Sequence, residues 1–237
     1  MFSKKRITGT SSVQLMTVLE PTSVITEQIK TIRTNINFTA TEHKLRTLMV
    51  TSAMLGEGKS TVSSNLAVEY AHEGLKVLLV DADLRRPTVH ETFGLPNQAG
   101  LSSYLGRQIV DVNEIIHISI DNLYVMTSGP KPPNPAELLA SKTMAQFLST
   151  TGCNFDLVII DAPPILPVTD AQLLANKVDG TVLVVRENVA QKTAVRGAVD
   201  ALKRSHANLL GVVLNDITAG KRNGYYGYND GYYRNGD

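Results

Sequence analysis

The chain has 237 residues, 43% of them hydrophobic and 19% charged, a length that supports one sizeable α/β domain whose core closes without disulfide or metal staples. A formal net charge of +1 argues against a phosphate-tracking surface for duplex DNA. No stretch approaches the ~20 apolar residues of a bilayer span, and the five histidines, His43, His72, His90, His117 and His206, lack metal-ligand spacing.

The N-terminus, Met1-Phe2-Ser3-Lys4-Lys5-Arg6, is basic but runs into Ile7-Thr8-Gly9-Thr10 rather than an apolar segment, which argues against a secretory signal. Residues 1–22 lack periodicity and read as an arm, whereas 26–33 place apolar residues at helical spacing. Residues 45–52 form a β-rich apolar run, Gly56 and Gly58 break it, and 60–73 read as a helix closed by Gly74. Lys76-Val77-Leu78-Leu79-Val80-Asp81 is a nearly continuous apolar run, as parallel strands covered on both faces are. Residues 130–135 carry four prolines in six, a shaped loop entering a helix at Asn134-Pro135-Ala136-Glu137. Cys153 is the single cysteine; it excludes an intrachain disulfide and reads as a buried thiol. Asp156-Leu157-Val158-Ile159-Ile160-Asp161 repeats the strand pattern and again ends in aspartate. Two more apolar runs, 181–185 and 209–214, flank a helical stretch at 191–205. This alternation predicts a doubly wound, mostly parallel α/β sheet with helices on both faces.

From 218 to 237 the composition changes to five glycines, five tyrosines and three asparagines in twenty residues. Such a segment buries too little apolar area to offset its ordering entropy and is expected to be disordered. The expected organisation is an arm at 1–22, a domain at 23–217 and a tyrosine-rich tail at 218–237.

Ala53-Met54-Leu55-Gly56-Glu57-Gly58-Lys59-Ser60 matches the phosphate-loop pattern from its second half onward, with Ala53 where the strict form has glycine. It leaves a strand and opens a helix, so backbone N–H groups converge where phosphate oxygens are favoured. Lys59 can supply a point charge to the β- and γ-phosphates, and Ser60, with Thr61 behind it, a hydroxyl to Mg²⁺. The fold expected is therefore of the P-loop NTPase type, with Gly56, Glu57, Gly58, Lys59, Ser60 and Thr61 around ATP. Asp81 and Asp83 lie two apart at a strand end, and two like charges so close need a metal ion or a proton between them. Asp161, followed by Ala162-Pro163-Pro164, fits an acid that holds magnesium.

These residues, with Val80-Asp81-Ala82-Asp83-Leu84-Arg85-Arg86-Pro87, Ser128-Gly129-Pro130-Lys131-Pro132-Pro133-Asn134-Pro135-Ala136-Glu137-Leu138-Leu139 and the tyrosine tail, resemble the bacterial tyrosine kinases. The likeness covers about residues 20–237 and is specifically to the separate cytoplasmic kinase of Gram-positive capsule and exopolysaccharide systems. It implies that Lys59 and Ser60 hold phosphate and magnesium, that Asp83 and Asp161 complete the metal site, and that Asp81 is a candidate base, with Asp81, Asp83 and Lys59 as the catalytic set. Asn215 resembles a position that reads adenine in related ATPases. Members form rings through a helix with the pattern E-x-x-R-x-x-R; Glu27 and Arg33 match it and Lys30 replaces the middle arginine, losing the planar fork that grips carboxylates. The resemblance further implies a membrane-anchored activator at the inner face of the membrane, a cognate phosphotyrosine phosphatase and no nucleic-acid partner. Tyr225, Tyr226, Tyr228, Tyr232 and Tyr233 are the expected phosphoacceptors, entering a neighbour's site in trans. Phosphates there would make the tail strongly acidic and favour ring dissociation.

Two other classes fit parts of the sequence. A partitioning or cell-division ATPase of the same fold would carry its signature lysine at the position of Met54, and a nucleotide-gated scaffold would use the aspartates only for magnesium-dependent shape.

Overall fold

The computed structural model describes residues 13–40 and 45–216. Seven strands, β1 (Thr47–Ser52), β2 (Val77–Asp81), β3 (Ile116–Ile120), β4 (Leu123–Met126), β5 (Leu157–Asp161), β6 (Gly180–Arg186) and β7 (Leu209–Asn215), form one sheet in the order β3-β4-β2-β5-β1-β6-β7. Neighbours run parallel except the β3–β4 hairpin at one edge. The helices are α1 (Met16–Leu19), α2 (Val24–Thr39), α3 (Lys59–His72), α4 (Val89–Phe93), α5 (Leu101–Leu105), α6 (Pro135–Ala140), α7 (Lys142–Asn154), α8 (Asp170–Ala175) and α9 (Lys192–Arg204).

Successive residues of a strand point to opposite faces, so each central strand feeds two cores. Leu78, Val80, Val158, Ile160 and Leu183 pack on one face with α7 residues Met144 and Phe147. Leu48, Val50, Leu79, Ile159 and Val184 pack on the other with α3 residues Leu66, Val68 and Tyr70. The unbroken apolar runs of β2 and β5 are the consequence of being covered twice.

The structure departs from the sequence reading at three places. Part of the stretch expected to be an arm forms α1, with Leu15 buried and the Thr17 backbone N–H and hydroxyl donating to Asn65 Oδ1 at 3.1 and 3.0 Å. The β3–β4 hairpin, turning at Asn122 with a positive φ of 64°, carried no expectation: β3 is an edge strand of mostly half-exposed residues and the apolar run of β4 is only four residues long. Cys153, expected to be buried, is exposed: Met144, Phe147, Leu148 and Thr151 take the core-facing stripe of α7 and leave Cys153 on the opposite face.

On α2, longer than the 26–33 pattern and capped by the Ser23 hydroxyl accepting from Thr26 N, the charges marked for assembly divide. Lys30 Nζ bonds its own helix's Glu27 Oε1 at 2.7 Å, whereas Arg33 turns inward to Glu73 Oε1 at 2.6 Å and to the Glu69 carbonyl at 3.2 Å, tying α2 to α3. Tyr225, Tyr226, Tyr228, Tyr232 and Tyr233 lie outside the described residues.

Candidate functional site

The C-terminal ends of the central strands β1, β2 and β5 lie side by side at one end of the sheet, where open α/β folds bind ligands. Val50 and Asp81 are both in register with Asp161, so the loop leaving β1 and the acids ending β2 and β5 become neighbours.

That loop bends through Gly56 (φ 78°) and Gly58 (φ 91°), left-handed conformations that a side chain would strain. A Cβ on Gly58 would also overlap the Asn215 amide, whose Nδ2 donates to the Glu57 carbonyl at 3.1 Å. Asn215 is thus brought to the loop from the end of β7. The Glu57 side chain is buried within the loop, its Oε2 accepting from Met54 N at 2.8 Å. Helix α3 then starts at Lys59, and its N-terminus carries the partial positive charge that suits an anion. Thr61, one residue beyond Ser60, bonds through its carbonyl to Asn65 Nδ2 at 2.9 Å.

Lys59 joins the acids. Its Nζ lies 3.0 Å from Asp83 Oδ2, 3.8 Å from Asp161 Oδ1 and 3.1 Å from Ser60 Oγ. Burial alone would lower the proton affinity of the ammonium, but Asp161, Asp83 and Asp81 together hold it above its ordinary value. Burial pushes the Asp161 carboxyl up, with Lys59 opposing. Asp81 is pushed up to about 8, first by burial and then by the charge of Asp161, against the pull of Lys59 and the Val89 amide.

The two acids on β2 and its loop are held differently. Asp81, fully buried, accepts from Asp83 N on Oδ1 and from Thr88 N and Val89 N on Oδ2, all at 3.1 Å, so it pins the loop to the start of α4. Asp83 accepts from Arg85 N at 3.3 Å and Arg86 N at 3.0 Å through Oδ1, and gives Oδ2 to Lys59.

Both Asp161 oxygens are buried without a hydrogen-bond partner, a demanding state for a carboxylate unless a cation completes it. Among the described residues no group of three His, Cys, Asp or Glu side chains is placed to hold a metal alone. Ser60, Asp83 and Asp161 fit a magnesium ion in its usual manner, bound by one or two carboxylates with phosphate oxygens supplying the rest.

A clamp that carried no expectation steadies this loop. Arg85 Nε and Nη2 donate to Asp170 Oδ2 and Oδ1 at 2.8 and 2.9 Å, a forked pair joining the segment after Asp83 to α8. Asp170 is fully buried and Arg85 is not, so the two truncations differ. Arg85→Met strands a buried carboxylate and is expected to cost about 3–5 kcal/mol. Asp170→Asn leaves a guanidinium that water can reach and costs about 1–2 kcal/mol. Urea unfolding of the two variants measures the asymmetry. An acid opening the Asp170-Ala171-Gln172-Leu173-Leu174 run was the local signal; its partner 85 residues earlier left none.

A family model described as ParA, NUBPL iron-transfer P-loop NTPase, matches residues 44–221. The tyrosine-protein kinase YwqD of Bacillus subtilis (strain 168) is 44% identical over 220 residues, covering 92% of this chain and 93% of that protein. The putative tyrosine-protein kinase CapB of Staphylococcus aureus is 40% identical over 209 residues, covering 88% and 92%. The solved kinase domain of the Escherichia coli tyrosine kinase ETK superposes with a TM-score of 0.84 at 35% identity, covering 90% of this chain and 84% of that one.

Proposed function

This chain belongs to the bacterial tyrosine-protein kinases, with the P-loop NTPase fold of that family, and we propose that it transfers the γ-phosphate of ATP to tyrosine, including the tyrosines of its own C-terminal segment. The observation that carries the proposal is the convergence of Asp83 and Asp161 within 4 Å of the Lys59 ammonium, at the mouth of a glycine loop and a helix N-terminus.

In this reading Gly56 to Thr61 cradle the phosphates with backbone amides, and Asn215 borders the adenine. Lys59 exchanges its carboxylate partners for phosphate oxygens. Ser60, Asp83 and Asp161 hold magnesium. When bound, the ion neutralises charge that develops on the transferred group. Asp81, whose proton affinity is raised by burial, is the acid assigned to accept the proton of the attacking phenol. Tyr225, Tyr226, Tyr228, Tyr232 and Tyr233 supply that phenol in trans, from a neighbouring copy in a ring to which the outward Glu27–Lys30 pair contributes.

The same reading includes regulation of capsule or exopolysaccharide synthesis, a membrane-anchored activator that recruits the kinase and a phosphatase that resets it. Among the described residues no helix is long and apolar enough to cross a membrane, which suits recruitment by such an activator. The ATPase-switch reading shares the matched family model; against it, Met54 stands where that class carries its lysine.

The test is phosphotyrosine mass spectrometry of the full chain after incubation with ATP, magnesium and an activator fragment. Phosphate on the 225–233 cluster is the expected result. ATP hydrolysis without phosphotyrosine would return the chain to the ATPase switches.

A further inference from the structure

Beyond the acids, a second polar cluster touches the phosphate loop. Arg186, the last residue of β6, donates from Nη1 to the Gly56 carbonyl at 3.3 Å. Its Nε and Nη2 both reach Asp216 Oδ2 at 2.8 Å. Asp216 directly follows β7, in a left-handed conformation (φ 57°) that favours glycine and costs energy for an aspartate unless it is held. Next to it, Asn215 is in register with Arg186, gives its carbonyl to Glu187 N at 2.9 Å and its Nδ2 to Glu57 at 3.1 Å. One guanidinium and one amide therefore fasten two consecutive loop carbonyls, those of Gly56 and Glu57, to the two residues at which the chain departs toward its tyrosine-rich end.

We propose that Arg186 is a positioning residue for the phosphate loop, and that its grip on Asp216 couples nucleotide binding to the root of the C-terminal segment. Arg186 and Asp216 are 42% and 58% exposed, and a pair so exposed adds little to stability. Its effect is geometric. Gly56 has no side chain to hold its left-handed backbone, and the neighbouring Glu57 carbonyl is fixed through Asn215, which shares a peptide bond with Asp216. When the segment beyond Asp216 is drawn elsewhere, the guanidinium loses its second anchor and Gly56 loses its support. The loop's N–H groups then lose the alignment that an anion requires. Linkage makes the effect reciprocal: bound nucleotide holds Asp216 in place.

The inference rests on the nucleotide-binding reading above, and the experiment separates the two. Magnesium-ADP binding to the full chain is measured by titration calorimetry for wild type, Arg186→Met, Asp216→Ala, the double variant and Asp216→Glu. Each single variant is expected to weaken binding about fivefold. The double is expected to be no weaker than either single, because both remove one link, and Asp216→Glu to recover most of the loss. The kcat of phosphotyrosine formation at saturating nucleotide stays unchanged while KM rises, a split that a merely structural role would not give. Thermal melts establish that the variants fold. Wild type that binds with both singles within twofold of it, or effects that multiply in the double, overturn the coupling alone. Wild type that binds no nucleotide overturns the kinase reading and the coupling with it.

Discussion

Lys59→Met is expected to lower phosphotyrosine formation by about 10²–10³-fold, the loss that follows removal of a preorganised charge from a developing one. Methionine keeps the length and the apolar stem, so the variant isolates the ammonium. It also removes the countercharge that Asp83 and Asp161 share, at 3.0 and 3.8 Å. Burial already pushes the Asp161 carboxyl up and Lys59 is the group that opposes it, so the variant holds Asp161 less readily as a carboxylate and binds magnesium less readily. Two measurements are therefore needed. Circular dichroism establishes the fold, and initial rates by quantitative mass spectrometry of the 225–233 peptide establish the chemistry at saturating ATP and magnesium. A scaffold acting by binding alone predicts that a Lys59→Met protein with nucleotide affinity retained supports full polysaccharide synthesis. A rate within tenfold of wild type would remove Lys59 from the machinery.

How far the site was legible in the sequence follows from where the information lies. Residues 45–52, 76–81 and 156–161 contain β1, β2 and β5 whole and 181–185 contains most of β6, because a strand buried on both faces declares itself at every residue; 209–214 contains all but the last residue of β7, an edge strand that is only half-buried yet apolar throughout. The glycine loop was equally plain, since Gly56 and Gly58 are needed for backbone reasons that any sequence shows. Short helices such as α4 and α5, five residues each, carry too few turns for a period and are held by tertiary contacts instead. The exposed thiol of Cys153 was missed because a residue type's average burial says nothing of which helix face it occupies. Pairings across long separations, Arg85 with Asp170 and Arg186 with the Gly56 carbonyl, leave no local trace. Arg33 belongs to the same class: its ion pairs with Glu69 and Glu73 cross from one helix to the next, and no local pattern announces them.

Asp81→Asn is expected to reduce phosphotyrosine formation by about 10²–10⁴-fold, the usual worth of a positioned proton acceptor, but the same residue pins a loop, and the two roles must be told apart. An asparagine has one acceptor oxygen where Asp81 uses two. Turned toward Thr88 and Val89 it sets its NH₂ against the Asp83 amide, and turned the other way it sets it against both α4 amides. At least one buried N–H is left unpaired, for about 1–3 kcal/mol of lost stability. The Asp83 N–H is one of those at stake, and Asp83 is the partner of Lys59, so loosening it reaches the metal site. If Asp81 acts by holding Asp83, the variant raises the magnesium-nucleotide dissociation constant, and excess nucleotide restores the rate. If Asp81 takes the proton, affinity changes little and no concentration of nucleotide restores the rate, because the phenol then meets an amide that cannot accept a proton. Asp81→Ala extends the comparison: it leaves all three amides without their acceptor and is expected to unfold at lower urea than Asp81→Asn. Equal labelling of the tyrosine cluster by wild type and either variant would place the base elsewhere. Asp83 would then be the next candidate, since its Oδ2 already faces the ammonium at 3.0 Å and is a single ionic contact away from the phosphate loop.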